Sequence, residues 1–264
     1  MRGVIDDTPL VNIATAIREK TGTETTYKPA EMPGGVAEVY EAGKKAQHNE
    51  FWNSIWNNLT GNNQRAFVGP AWSKETFRPN KDFTISVQGF YYHNWLGTAY
   101  DLAAHLEGLG VTMKLGTNSK NSCFYYAWFT RLPKLDFSEC SGTFDRIFYG
   151  ASKLVTIDKI ILPPEGTIIS FNTVFYGCDK LKNVLFDGII DKSISFSDCP
   201  LTVESMKNII SCLKDYSLEN AFTYTLTLSD SCKTALEADT EKVEFNGQSY
   251  TYFELITAKG WNLA

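Results

Sequence analysis

Three histidines, His48, His93 and His105, are the first residues to weigh for metal binding or acid–base work. They fall on unrelated segments, and none has a second histidine at ligand spacing. Gly43-Lys44 lacks the glycine five residues upstream that a phosphate-cradling loop needs. Gly108-x-Gly110 lacks the third glycine of a dinucleotide fingerprint and follows a helical pattern instead of a strand. Ser193–Ser197, a serine-rich turn, carries no nucleophile signature. The carboxylate pair Asp6-Asp7 is expected to be solvated. Six cysteines, at 123, 140, 178, 199, 212 and 232, contain no Cys-x-x-Cys, which argues against a zinc or redox motif. Small buried thiols are the preferred reading, with disulfides between adjacent repeats as the alternative. No catalytic set emerges, so no enzymatic activity, cofactor or metal is expected.

The chemistry that remains is recognition. Tyr91, Tyr125, Tyr149 and Tyr176 each follow a phenylalanine, with Tyr92, Tyr126 and Trp128 nearby. In an extended turn adjacent side chains point oppositely, so a buried phenylalanine sends its tyrosine outward. Tyrosine and tryptophan are enriched in binding hot spots, and these five (Tyr91, Tyr125, Trp128, Tyr149, Tyr176) are the candidate ligand-binding residues. The competing reading is a ladder that packs beneath a loop and only stabilises the stack. A second aromatic set, Phe51, Trp52, Ile55 and Trp56, forms a helical stripe within 36–59 and is the candidate assembly face.

A repeated module must position the tyrosines. Residues 144–157 shifted by 27 fall on 171–184, pairing Phe144/Phe171, Phe148/Phe175, Tyr149/Tyr176, Gly150/Gly177, Lys153/Lys180, Leu154/Leu181 and Ile157/Val184. Phe129, Leu132, Leu135 and Phe137 match Leu154, Ile157, Ile160 and Leu162 at an offset of 25. An earlier copy shows in Phe90-Tyr91-Tyr92 against Phe124-Tyr125-Tyr126. Repeats of this period, with apolar residues at fixed places, indicate a stacked solenoid in which each unit buries its apolar face against its neighbours.

Phe148-Tyr149-Gly150-Ala151-Ser152-Lys153-Leu154 and Phe175-Tyr176-Gly177-Cys178-Asp179-Lys180-Leu181, with the strand ending Leu162-Pro163, resemble the BspA-like bacterial leucine-rich repeats. The resemblance covers roughly residues 83–200. It departs from the family at Ala151, where a cysteine is usual, and in an insertion at 101–110. It implies a binding or adhesion scaffold. Residues 10–22 and 27–33 resemble a leader of phage and prophage virion proteins from Gram-positive gut bacteria, which implies attachment to a particle.

At 264 residues, with 43% apolar, 21% charged and 14% aromatic residues, the chain can hold one or two domains with a sizeable core. A formal charge of −5 without a basic cluster argues against nucleic acid. No apolar run is long enough for a transmembrane helix. Thr8 is the expected N-cap of a first helix bearing Leu10, Ile13, Ala14 and Ile17. Asp101–Gly110 is expected to be a helix, followed by a strand through Val111, Met113 and Leu115. Past Thr202 the pattern predicts a helix bearing Val203, Met206, Ile209, Ile210 and Leu213. A strand along 222–228, a hairpin at Asn246-Gly247, a helix over 253–259 and a last strand at 261–263 complete it.

The expected fold is α/β: a helical N-terminal attachment and oligomerisation segment (1–60), a short leucine-rich-repeat-like stack (61–200) and an α+β cap (201–264). The expected function is that of a virion-associated, receptor-binding protein on a phage particle; the absence of a signal peptide favours this over export. A bacterial cell-surface adhesin and a purely structural virion component are the alternatives. Expected partners are a host cell-surface glycan or protein, other virion proteins at the N-terminus, and further copies of the chain.

Overall fold

The repeats are held together by parallel main-chain pairing between segments about 25 residues apart. A computed structural model describes residues 79, 82–85, 90, 99–117, 122–218 and 223–264. The expected assembly stripe at Phe51, Trp52, Ile55 and Trp56, the expected N-terminal helices, and His48, His93 and Tyr91 lie outside the described residues. Within them the architecture is mixed α/β, with several parallel sheets and four helices.

The largest sheet joins β2 (Tyr100–Asp101), β4 (Phe129–Leu132), β7 (Thr156–Ile161) and β9 (Asn183–Asp187), with β5 (Leu135–Asp136) also on β7. All these pairs are parallel. Leu132 pairs with Ile157 and Leu135 with Ile160, which is the 25-residue offset read from the sequence. Ile157 pairs with Val184, the 27-residue offset, before an irregularity brings Ile160 opposite Phe186. Two shorter parallel pairs lie elsewhere: β1 (Phe83–Ile85) with β3 (Met113–Leu115), and β6 (Gly142–Thr143) with β8 (Ile168–Ser170).

The insertion forms helix α1 (Leu102–Leu109), because Leu102, Ala103 and Leu106 share one buried face. Asp101 caps it by accepting from the Ala104 amide at 2.8 Å, and Gly110 ends it in the left-handed conformation. The helix packs beside β4. There Arg131 makes a bidentate pair with Asp158, at 2.7 and 2.9 Å, and reaches Glu107 at 3.5 Å.

The turn preceding β4, β7 and β9 recurs with the same backbone. Ser122, Arg146 and Thr173, each two residues before the phenylalanine, have φ of 52°, 58° and 54°. Tyr126, Gly150 and Gly177, each two residues after it, have φ of 52°, 70° and 72°. Glycine enters the second position at no steric cost. Gly150 is needed for a further reason, since a Cβ there would lie 2.5 Å from the Tyr126 ring.

The far end of the large sheet is closed by a helix. Helix α2 (Val203–Cys212), capped by Thr202, lies against β9 where a further strand would otherwise pair. Its side chains supply what that strand would have supplied. Ser205 Oγ accepts from the Val184 amide at 3.0 Å, and Asn208 Oδ1 accepts from the Phe186 amide at 2.6 Å. Asn208 Nδ2 donates back to the Phe186 carbonyl at 3.2 Å. An edge that would invite pairing with another chain is satisfied internally.

Ser193–Ser197, read from the sequence as a turn, is instead built around strand β10 (Ile194–Phe196), with Ile194 and Phe196 buried. Alternation of serine with large apolar residues is a half-buried strand pattern, and serine content alone misled the expectation. β10 pairs in parallel with β11 (Thr225–Leu228), which pairs in parallel with β14 (Asn262–Leu263). The C-terminal segment is thereby tied to the repeats by main-chain bonds. Helix α3 (Asp230–Glu237), absent from the sequence reading, is capped by Ser229 and buries Cys232 and Leu236. The expected hairpin forms from β12 (Lys242–Phe245) and β13 (Gln248–Thr251), with Asn246 and Gly247 both at positive φ. Helix α4 (Tyr252–Ala258) starts in a capping box between Thr251 and Glu254.

All six cysteines are free thiols, five of them buried. The thiols of Cys178 and Cys199 point at the carbonyls of Phe148 and Phe175 in the neighbouring copies, at 3.1 and 3.8 Å. Burial pushes both thiols well above their ordinary range. In the unfolded chain they ionise near 9.0. Above that pH the unfolded state has released protons that the folded state keeps, so stability falls as pH rises. The expected loss is about 1.4 kcal/mol per thiol for each pH unit above about 9. Lys259 acts in the opposite sense, because burial lowers its pKa and the penalty fades as pH climbs. Denaturation midpoints measured between about pH 8 and pH 10.5 check this. A Cys178→Ala/Cys199→Ala protein should show a flatter decline than the parent.

Candidate functional site: the tyrosine ladder

A continuous column of phenylalanines fixes the site. Phe90, Phe124, Phe148, Phe175 and Phe196 are each at most 1% exposed. Consecutive rings are stacked, with centroids 5.7, 5.5, 5.3 and 4.7 Å apart and interplanar angles of 13–22°. Parallel strands sit ~4.8 Å apart, so rings issuing from equivalent places must lie nearly face to face. Strand phenylalanines close the column from the side: Phe129 meets Phe90 edge-on at 5.1 Å, and Phe186 meets Phe175 edge-on at 6.4 Å. Three residues further along the turn, Ala127, Ala151, Cys178 and Cys199 form a parallel column of small buried residues. Each donates its amide to the carbonyl of its own phenylalanine.

The residue after each phenylalanine makes the second column. Tyr125 stacks on Tyr149 with centroids 5.1 Å apart at 11°, and Tyr149 stacks on Tyr176 at 4.9 Å and 22°. Backbone bonds lock this register: the Tyr126 amide donates to the Tyr149 carbonyl, and the Gly150 amide to the Tyr176 carbonyl, both at 2.7 Å. Tyr126 folds back, its ring edge-on to Tyr125 at 4.8 Å and to Tyr149 at 5.6 Å. Tyr125 and Tyr149 are half-buried, whereas Tyr176 is 54% exposed.

Three of the sequence-derived candidates, Tyr125, Tyr149 and Tyr176, are therefore brought together, and Tyr91 lies outside the described residues. Trp128 is half-buried on the strand side of the turn, with the Lys153 ammonium 5.5 Å from its ring centroid. Among the described residues no ring contact joins it to the ladder. The geometry also changes what the ladder can do. Tyr149 is stacked on both faces, by Tyr125 and Tyr176, and Tyr125 gives one face to Tyr149. This stretch of the strip therefore offers mainly phenol edges, while Tyr176 stacks through one face and is largely exposed.

Two residues that sequence reasoning missed lie beyond Tyr176. Ser197 and Asp198 follow Phe196 as Tyr176 and Gly177 follow Phe175. Asp198 Oδ2 accepts from the Gly177 amide at 2.7 Å, and its Oδ1 accepts from Ser197 Oγ at 3.2 Å. The signal that could have found them is the interval of 21 between Phe175 and Phe196, shorter than the preceding 27.

Other clefts are less well equipped. One of about 540 Å³ lies between α1, β3 and β5, with an apolar floor that includes Leu106 and Met113 and a rim of mixed charge. A second, of about 340 Å³, separates β8 from β10. Among the described residues no group of three His, Cys, Asp or Glu side chains could hold a metal ion, and no helix is long and apolar enough to cross a membrane. No family model, curated protein or solved structure matches the chain.

Proposed function

We propose that the chain is a non-enzymatic binding protein, carried on a phage particle, whose repeats contact a host surface through the tyrosine face. In this reading the parallel copies are a short irregular solenoid of the leucine-rich type, similar to BspA-like repeats. The N-terminal segment docks to other virion proteins and to further copies of the chain. A bacterial cell-surface adhesin would use the same face. The observation that carries the reading is the in-register column Tyr125–Tyr149–Tyr176, kept partly exposed beside a fully buried phenylalanine column.

Core demands alone do not call for a tyrosine at this place, since the Phe column already fills the interior. Tyrosines that combine apolar area with a polar tip at small entropy cost suit a contact surface. A net charge of −5 makes free nucleic acid a poor fit.

Attachment to host cells, measured beside melting temperature for a Tyr149→Ala/Tyr176→Ala protein, tests the reading. The expected result is a nearly unchanged melting temperature with attachment abolished. Unchanged attachment would place the contact surface elsewhere, and a collapse of melting would make the tyrosines part of the core. A purely structural virion component would show no attachment even in the parent.

A further inference from the structure

The ladder stops at Tyr176, and the polar groups beyond it differ in kind from those along it. Phe196 continues the phenylalanine column at 4.7 Å from Phe175, so Ser197 takes the place that tyrosine holds in the three preceding copies. A serine side chain is too small to cover a phenol ring. Tyr176 accordingly stacks on Tyr149 through one face and is 54% exposed, and no ring lies on its other face among the described residues.

The copy that follows Tyr176 carries a polar row, tied to the residue after Tyr176 through the Gly177 amide. Ser195 Oγ is 3.4 Å from Ser197 Oγ, and Ser197 Oγ donates to Asp198 at 3.2 Å. Asp198 is itself fixed by the Gly177 amide. Ser197 and Asp198 are exposed, and Ser195 is half-buried.

We propose that the uncovered face of Tyr176, together with Ser195, Ser197 and Asp198, is a subsite for one neutral hexose ring of a surface glycan. The proposal rests on the binding reading of the same face and names its ligand class. The C–H face of a pyranose is apolar and flat enough to lie on a phenol ring, while its equatorial hydroxyls project sideways. A carboxylate only accepts hydrogen bonds, and each oxygen of Asp198 has a lone pair beyond the one its protein donor uses, so it matches sugar hydroxyls. The Ser195 and Ser197 oxygens, whose protons go to Ser197 and Asp198, can accept as well. The carboxylate and the negative chain disfavour an acidic sugar or a phosphate. Lysine side chains are the competing occupant, which the test distinguishes.

Two variants isolate this site. Tyr176→Ala removes the ring. Ser197→Tyr adds the missing rung, extends the ladder and buries the free face without touching Tyr176. Methyl glycosides of glucose, galactose and N-acetylglucosamine, and their trisaccharides, are the probes for the full-length protein, by saturation-transfer NMR and calorimetric titration. The parent should bind at least one of them, and both variants should bind it about tenfold more weakly or worse. The Ser197→Tyr protein should melt at or above the parental temperature.

Absence of binding by every neutral sugar, or a Ser197→Tyr protein that binds like the parent, overturns the subsite. So does capture of a lysine-rich peptide in place of the sugars. Host-cell attachment measured in parallel separates the two claims: if the parent attaches normally while binding none of the sugars, the subsite fails and the broader reading stands. Should the parent neither attach nor bind sugar, both fail. If Ser197→Tyr does not fold, Tyr176→Ala decides by the same readouts, since an exposed ring is removed without leaving a cavity.

Discussion

Truncating Phe175 to alanine should lower stability by about 3–5 kcal/mol, measured by chemical denaturation. The ring is 1% exposed and lies between Phe148 at 5.3 Å and Phe196 at 4.7 Å, with the edge of Phe186 against it. Removing it leaves a void bounded by three rings that cannot all collapse inward, because main-chain pairing holds their copies apart. The cost therefore lies toward the upper part of the range for a buried phenylalanine. Protection of backbone amides should fall in both adjacent copies, since each presents its apolar face only to its neighbours. Tyr176→Ala, one residue away, should cost far less. A Phe175→Ala protein that unfolds at the parental midpoint would contradict the in-register column.

Lys259→Met is the second substitution expected to be severe, at about 3 kcal/mol or more. The ammonium group donates to the carbonyls of Ile210, Ser211 and Leu213, at 3.0, 2.8 and 2.8 Å, and so closes the C-terminal end of α2. A cation there also meets the negative end of the helix dipole. Methionine fills the space but leaves three carbonyls without this donor in a site where Lys259 is 7% exposed. Because α2 covers the edge of β9, loosening its end should expose that edge. Denaturation and light scattering of the variant check both effects; a parental midpoint would show that water replaces the ammonium without loss.

The offsets of 25 and 27 were legible because large apolar residues recur where the chain turns inward, and burial enforces that pattern on any sequence with this backbone. Gly150 and Gly177 were legible as a pair for the same kind of reason. The hairpin at Asn246-Gly247 and the helix over 102–109 follow from local turn chemistry and one apolar face. What escaped is what depends on side chains meeting across the sequence. The left-handed turn at Ser122, Arg146 and Thr173 carries no glycine to announce it. The copy at Phe196 was hidden by its shortened interval and by Ser197 and Asp198, which replace the Tyr-Gly signature. Ser205 and Asn208 look like ordinary polar helix residues until β9 is beside them. Lys259 reads as a surface lysine, although the carbonyls it holds lie 46–49 residues away. Helix α3 is short and mostly exposed, with only Cys232 and Leu236 buried, so its periodicity was too sparse to detect.

Stacking also revised the chemistry expected of the tyrosines. The ladder was read as an exposed binding strip, and spacings of 4.9–5.1 Å turn the faces of Tyr125, Tyr149 and Tyr176 toward one another. In the proposed contact the ladder from Tyr125 to Tyr149 uses phenol edges and hydroxyls, and ring stacking falls to Tyr176.

Hydroxyl-radical footprinting of the full-length protein, free and attached to host cell envelopes, tests the proposed contact surface most directly. Oxidation of Tyr125, Tyr149 and above all Tyr176 should fall on attachment, while Tyr250 and Tyr252 in the C-terminal segment keep their reactivity. Protection confined to the C-terminal segment or to residues 1–78, with Tyr176 as reactive as in the free protein, would contradict the assignment.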